Sequence, residues 1–461
     1  MCAMTEKSPA GSDVRPWRAL IALCVGFFMI LLDQTIVAVA TPALQADLGA
    51  TYNEVIWVTS AYLLFFAVPL LVTGRLGDKY GPKNVYILGM VLFTLSSLAC
   101  GLAPSITWLI IARAAQGLGA ALLSPQTMSV INRIFPRDRR GAALGVWGAT
   151  AGLSTLVGPL LGGVITSLLS WQWVFLVNVP IGVISVVAVA KFVPTFPLLK
   201  RPIDALSIAL SVVAMFLFIF SIQQGETTGW PWWIFAGMLA AVGIAALFIR
   251  RQAAAAKTDR EPLLPLPLFA RRSFAFGNIG IAAMGFAVAG MMLPIMLYLQ
   301  QVHHFSPMRA GLMVVPMSVV SMICAPLVGR LVDRTDPRPV AIVGFSIMVL
   351  TVALLVLVLR PGVSQWWILP VTTLMGFGHA GVWAPNSTLT LRDLPHKWAG
   401  AGSGMYNSTR QLGAVTGAAV IGAVMQWRLA VGSPGAFGQS LIPAAVVLAI
   451  GVWSAWRGAE D

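Results

Sequence analysis

Windows of about twenty apolar residues recur along this chain, and such a window crosses the ~30 Å hydrocarbon layer as a helix, the structure that satisfies its own backbone N–H and C=O groups in lipid. They fall at 18–41, 54–74, 84–103, 106–131, 142–169, 173–193, 204–223, 231–249, 274–299, 308–329, 339–359, 366–391, 399–427 and 438–456. The pattern predicts an all-α polytopic membrane protein with fourteen transmembrane helices, here spans 1 to 14. The composition agrees: of 461 residues 58% are hydrophobic and 10% charged, against about 25% charged in a soluble domain. That is more apolar surface than one globular core can bury.

The formal charge of +14 raises the question of nucleic acid, and its placement answers it. With an inside N-terminus, twenty-five of the 30 Lys and Arg fall on the inner side, from Lys7, Arg15 and Arg18 through Lys200, Arg201, Lys257 and Arg260 to Lys397 and Arg457. Arg309, Arg360 and Arg428 fall outside, and Arg113 and Arg410 fall within helices. Skipping one span would invert every later loop, so the bias predicts both termini cytoplasmic, a cell (plasma or inner) membrane location, and no nucleic-acid partner. Arg15 and Arg18 before an apolar run ending Ala38-Val39-Ala40 resemble a secretory signal, but Asp33 and Gln34 interrupt the run. Cys2, Cys24, Cys100 and Cys324 lack CxxC spacing and read as packing residues. His303 and His304 are adjacent, with His379 and His396 distant, so no metal site follows. No Walker loop is present, and no cofactor is expected.

The chain repeats itself. GRLGDKYGPK (Gly74 to Lys83) recurs as GRLVDRTDPR (Gly329 to Arg338), and Pro136, Gly141, Gly145, Gly158 and Gly163 recur as Pro395, Gly400, Gly404, Gly417 and Gly422. Pro125 has a counterpart in Pro385. Spans 1–6 therefore repeat as 9–14, which predicts an N-terminal six-helix bundle (1–193), two inserted helices (194–249), a cytoplasmic linker (250–272) and a C-terminal six-helix bundle (273–461). Two bundles related by a repeat meet around a midplane site and rock about it.

The repeated loop, together with LLDQTIVAVATP (Leu31 to Pro42), RAAQGLGAALLSP (Arg113 to Pro125), GPLLGG (Gly158 to Gly163) and WQWVFLVNVPIG (Trp171 to Gly182), resembles the major facilitator superfamily. The inserted pair and the acid in span 1 make the chain similar to the fourteen-helix drug:proton antiporter subfamily, the QacA/EmrB type. The resemblance implies the major facilitator fold and efflux driven by the proton gradient. Ser154, Ala38 and Gln172 depart from the family pattern, which has Gly, Asn and Arg there.

Asp33 is the acid that lies clearly inside a span, and an intramembrane ionisable residue is a functional candidate. It sits eight residues before Thr41 and Arg113 eight after Ser105, each ~12 Å from the outer end of its span, so their depths match. Burial disfavours a charged carboxylate and a nearby cation favours it, so this pairing suits reversible protonation; a purely structural ion pair is the alternative. The resemblance assigns proton coupling to Asp33 and Arg113, with Gln116 one turn further on. It assigns conformational switching to the repeated loop, here Gly74, Arg75, Asp78, Gly81 and Lys83 with Gly329, Arg330 and Asp333. It also makes Gly158, Pro159, Gly162 and Gly163 an exporter motif, within a small-residue stripe (Gly141, Gly145, Gly148, Gly152, Pro159, Gly162) on which another helix can approach closely.

Trp57, Tyr62, Phe65, Phe66, Met291, Met292 and Met296 are candidates to line a permissive cavity, and Gln116 and Arg410 are polar candidates for it. Arg410 has no intramembrane acid in its own half, so helix carbonyls, amides, a wet cavity or substrate must meet its charge. One embedded acid beside two arginines leaves neutral or weakly acidic substrates as open as cationic ones. The expected function is proton-driven export of drugs or other small apolar compounds by a monomer, partnered by protons and the lipid bilayer. Export of an endogenous metabolite, lipid or siderophore is the alternative, and a transporter-like receptor the remote one.

Overall fold

The computed structural model describes residues 15–196, 198, 204–255, 262–392, 394–395 and 398–458. Lys7, Lys200, Arg201, Lys257, Arg260 and Lys397, on which part of the charge argument rested, lie outside these, as does His396. The described residues form helices and connecting turns, with no strand among them. The helices are α1 (Pro16–Leu48), α2 (Tyr52–Ala67), α3 (Leu70–Tyr80), α4 (Pro82–Gly101), α5 (Ile106–Ile134), α6 (Arg140–Leu168), α7 (Trp173–Leu176), α8 (Asn178–Phe192), α9 (Ala205–Thr228), α10 (Trp232–Ala255), α11 (Arg272–Gln301), α12 (Pro307–Arg334), α13 (Pro337–Val358), α14 (Ile368–Leu391), α15 (Ala399–Ala430), α16 (Ala436–Gln439) and α17 (Ile442–Arg457).

Local chemistry sets their ends. Proline occupies the first turn of α1, α4, α12, α13 and α17, where its missing N–H costs nothing. Thr51 and Glu54 form a reciprocal capping box on α2. Gly81 turns the chain between α3 and α4 at φ 89°, a conformation that L side chains rarely adopt. Pro69 breaks the second span, so α2 and α3 meet at 47°.

Among the described residues, twelve helices are long and apolar enough to cross a membrane, or thirteen when α2 and α3 count as one bent span. The predicted span 366–391 is also one continuous helix, α14, of 24 residues, ~36 Å long and thus long enough for the hydrocarbon layer. It carries His379, Asn386, Ser387, Thr388 and Thr390, and so it stays outside an assignment based on apolarity. Exposed tryptophans cluster near helix ends, among them Trp17, Trp108, Trp173, Trp232, Trp427 and Trp456, as expected of side chains at the two membrane–water interfaces.

The repeat appears as two bundles that touch mainly toward one end. At the end that carries the start of α1, Leu20, Cys24, Phe27, Met128, Ile131, Phe135 and Trp147 merge with the core of the second bundle. At the opposite end Ile36, Val37, Leu44, Val55, Leu109 and Phe175 form a cluster confined to the first bundle. The additional helices α9 and α10 pack on each other, and α9 also lies against α2 and α15, helices of different bundles. Arg251 holds Asp204 just ahead of α9 (2.6 and 3.1 Å) and keeps that carboxyl well below the usual carboxylate range. The tie therefore persists at neutral pH and is lost only in strong acid.

Candidate functional site: a sealed ion pair and a latch between bundles

Asp33 lies midway along α1 and Arg113 in the first third of α5. Arg113 Nη1 donates to Asp33 Oδ2 and to Gln116 Oε1 (2.8 Å), and its Nε donates to the Val58 carbonyl (3.1 Å). Gln116 Nε2 (2.9 Å) and Asn178 Nδ2 (3.2 Å) both donate to Asp33 Oδ1. Asn178 also reaches Ser97 Oγ (3.1 Å), which donates to the Phe175 carbonyl (2.9 Å). Tyr62 closes the site, its ring 4.2 Å from the guanidinium carbon, a contact worth about 2 kcal/mol when desolvated. Asp33, Arg113, Gln116, Asn178, Ser97 and Tyr62 are all 0% exposed. A charge buried so deeply is tolerable only when paired and hydrogen-bonded, and three donors from α5 and α8 meet this carboxylate.

The aligned depths of Asp33 and Arg113 thus end in contact. Tyr62, expected in a substrate cavity, stands against Arg113 in the ion-pair site, and Gln116, expected one turn beyond Arg113 and also in the cavity, bonds both members of the pair. Asn178 and Ser97 did not emerge from the sequence as site residues. A lone amide within the apolar run 173–192 was the available signal for Asn178.

The repeated loop is not a loop. Residues 74–80 complete α3, and 329–334 complete α12, because Gly-Arg-Leu and the residues after it continue the helix until the prolines at 82 and 337 start the next one. Asp78 and Asp333 are therefore helical acids too, beside Asp33. Asp78 Oδ1 and Oδ2 accept the Gly400 and Ala401 N–H groups (2.9 and 3.0 Å) at the start of α15. Asp333 in turn accepts those of Gly141 and Ala142 (2.6 and 2.7 Å) at the start of α6. Each carboxylate thus caps a helix of the opposite bundle, where free N–H groups and the helix dipole favour negative charge. A Cβ on Gly74 would meet the Gly400 carbonyl at 2.4 Å, and one on Gly329 the Gly141 carbonyl at 2.3 Å, so both crossings require glycine.

The two latches are unequal. Asp78 also binds Arg133 (2.8 Å) and Arg75 (3.5 Å), and Arg75 reaches the Pro262 carbonyl (2.7 Å). Arg330, which aligns with the buried Arg75, is exposed, so the second copy lacks this arrangement. Lys83 donates to the Ala190 carbonyl (2.7 Å), and Gly81 supplies the turn.

The stripe on α6 serves two partners rather than one. Gly141, Gly145 and Gly152 face α12: a Cβ at 145 would meet the Ala325 carbonyl at 2.5 Å and one at 152 the Met322 nitrogen at 3.1 Å. Gly158 and Gly162 face α1, where added Cβ atoms would meet Thr35 Oγ1 at 1.9 Å and Ile36 Cγ1 at 3.0 Å. At 100° per residue, Pro159 falls back on the face of Gly141, Gly145 and Gly152, yet it is exposed, and a Cβ on Gly163 would meet nothing within 4 Å. The face that seals against α12 at one end therefore opens at the other, and Gly163 has no packing role in this arrangement.

Among the cavity candidates, Trp57 is half-buried against Phe220 of α9 (6.1 Å) and Phe65 is exposed, whereas Phe66 and Met291 are core residues. Met292 and Met296 are half-buried. Arg410 is half-buried on α15, with its guanidinium 5.8 Å from the Trp383 ring centre. Among the described residues no metal-ligating group of three His, Cys, Asp or Glu occurs.

Comparison with known proteins places these features. The model of the Major Facilitator Superfamily matches residues 23–222 and 205–418. The MFS-type transporter Rv1250 of Mycobacterium tuberculosis is 45% identical over 92% of this chain and 73% of its own length. The tetracenomycin C resistance and export protein of Streptomyces glaucescens is 32% identical over 94% of this chain and 80% of its own. Among solved structures, the human organic anion transporter MFSD10 superposes with a TM-score of 0.67 over 94% of this chain and 99% of that one, at 16% identity.

Proposed function

The chain belongs to the major facilitator superfamily, a family of transporters and not of enzymes, and from that premise we propose that it exports drugs or other small apolar compounds across the cell membrane in exchange for protons. Asp33 is the carboxylate that takes up and releases the proton. The observation that carries this reading is the sealed Asp33–Arg113 pair, an acid–base couple that ties α1 to α5. A proton on Asp33 removes one partner of a buried pair, a change worth about 3–5 kcal/mol, and leaves the Arg113 charge to be met otherwise. Relief of that imbalance is a driving force for rearranging α1 against α5. The Streptomyces relative named for tetracenomycin C resistance and export supports the substrate class.

In this reading α14 crosses as span 12 and brings the count to fourteen, the bundles are 1–193 and 273–461 with an insertion at 194–249 and a linker at 250–272, and both termini are cytoplasmic. The end at which the bundles touch is then the cytoplasmic one, and the arrangement is outward-facing. The Asp78 and Asp333 caps hold the cytoplasmic side shut and must release their helices when the protein turns inward. A monomer suffices, and the proton gradient replaces any cofactor as the energy source.

The test is efflux of a lipophilic dye from cells expressing the wild type, Asp33→Asn or Arg113→Ala, with and without a protonophore. Efflux that collapses with the gradient, and falls at least about a hundredfold in both variants at equal membrane abundance, is expected. Gradient-independent efflux, or a fully active Asp33→Asn, would show that protons are not coupled through this pair.

A further inference from the structure

The membrane interior holds a second guanidinium, and its surroundings have no role in proton exchange as described above. Arg410 lies on α15 one turn beyond Asn407, whose amide oxygen accepts a hydrogen bond from Ser124 Oγ of the other bundle (3.3 Å). It therefore sits one turn from a contact between the bundles. The guanidinium stands over the Trp383 ring of α14, and Arg410 Nε is buried without a hydrogen-bond partner. The Trp383 indole N–H is itself engaged by the His379 ring (3.0 Å), and that ring also contacts Ser321 Oγ of α12 (3.2 Å). Trp383 is thereby fixed with its face, rather than its N–H, toward the arginine.

The charge balance is one-sided. In 273–461 the acids are Asp333, Asp336, Asp393, Glu460 and Asp461; Asp333 lies in the last turn of α12 and Asp336 just before α13, and the other three fall outside the described residues. The intramembrane acid of the other bundle, Asp33, is already committed to Arg113. A half-buried guanidinium with a buried, unused Nε–H and no carboxylate partner among the described residues carries a desolvation cost, and an incoming anion relieves that cost with charge-assisted hydrogen bonds. The ring beside it offers a stacking surface to a planar ligand.

Resting on the export reading above, we propose that Arg410, Trp383, His379 and Ser321 form a substrate subsite that selects aromatic compounds carrying an acidic group, a carboxylate or phenolate on Arg410 and its ring against Trp383. The cluster is built on α12, α14 and α15, whereas the proton site is built on α1, α5 and α8, so proton and substrate occupy different bundles. Coupling between them runs through the rearrangement of the bundles rather than through competition for one charge.

The experiment is equilibrium binding of fluorescein, an anion at neutral pH, and rhodamine 6G, a cation on a related ring system, to the full-length protein in detergent, followed by fluorescence anisotropy. The wild type binds fluorescein about tenfold or more tighter than rhodamine 6G. Arg410→Gln loses about tenfold or more on fluorescein and changes rhodamine 6G less than about twofold. Arg410→Lys, which keeps the charge and loses the planar fork, retains the anion preference at about three- to tenfold lower affinity. The proposal is overturned if the wild type fails to bind fluorescein or prefers rhodamine 6G, or if Arg410→Gln weakens both ligands alike. Should Arg410→Gln not fold, an equal response of both ligands to Arg410→Lys overturns it as well. The measurement uses no proton gradient, so its failure leaves proton-driven export standing, and gradient-independent efflux leaves this subsite standing.

Discussion

Asp33 accepts hydrogen bonds from three side chains, and they do not contribute equally. Arg113 supplies charge, whereas Gln116 and Asn178 are neutral donors, each of whose hydrogen bonds to the carboxylate is worth about 1.5–3 kcal/mol. Asn178→Ala removes one such bond and is expected to slow gradient-driven dye efflux about tenfold, less than Asp33→Asn, at unchanged membrane abundance. The glycines of the exporter motif separate in the same way. At Gly158 a methyl group collides with Thr35, two residues from Asp33, whereas at Gly163 it meets open space. Gly158→Ala is therefore expected to lower efflux about tenfold or more and Gly163→Ala to leave it within about twofold. Equal responses would detach the motif from the packing of α6 on α1.

Each latch joins a helix end of one bundle to a helix start of the other, and the loss of such a cap costs about 1–2 kcal/mol. Asp78→Ala is expected to shift the balance of states about five- to thirtyfold toward the inward-facing one. A membrane-impermeant thiol reagent, applied from outside to Gly163→Cys in a cysteine-free background, reads that shift as slower labelling. Asp333→Ala shifts it less, because Asp333 lacks the two arginines that Asp78 gathers. A larger effect from Asp333 would reverse the assigned order of the two latches. The helical course of residues 74–80 makes this leverage possible, because Asp78 rides on a rigid continuation of the second span instead of a mobile turn.

For the molecule as a whole, the number of crossings decides which surface faces the cell exterior. If α14 crosses with the others, the turns after α4 and after α13 lie outside and both termini lie inside. Single cysteines at Pro104 and Gly362 are then expected to react with an impermeant reagent added to intact cells, and a fluorescent protein fused after Asp461 is expected to mature in the cytoplasm. Reaction at Pro104 without reaction at Gly362 would place one of the spans between them differently, whereas reaction at both with a fusion that fails to mature would place α14 or a later span differently.

Much of this was legible in the residue order, for a physical reason: in lipid, length and apolarity alone dictate helices, and a repeat of Gly, Asp and Pro at fixed offsets dictates two related bundles. The Asp33–Arg113 pair was legible because few charges enter the spans, and their depths follow from counting residues. The sequence could not decide on which side of a helix a neighbour would arrive. Tyr62 therefore moved from an imagined cavity to the ion pair, the glycine stripe divided between α12 and α1, and Asn178 gained a role. Nor could it show that each repeated aspartate caps a helix of the opposite bundle, because Asp78 and Gly400 stand 322 residues apart. Contacts between distant segments depend on how whole helices cross, and crossing angles arise from the packing of many side chains at once, so only the tertiary structure decided them.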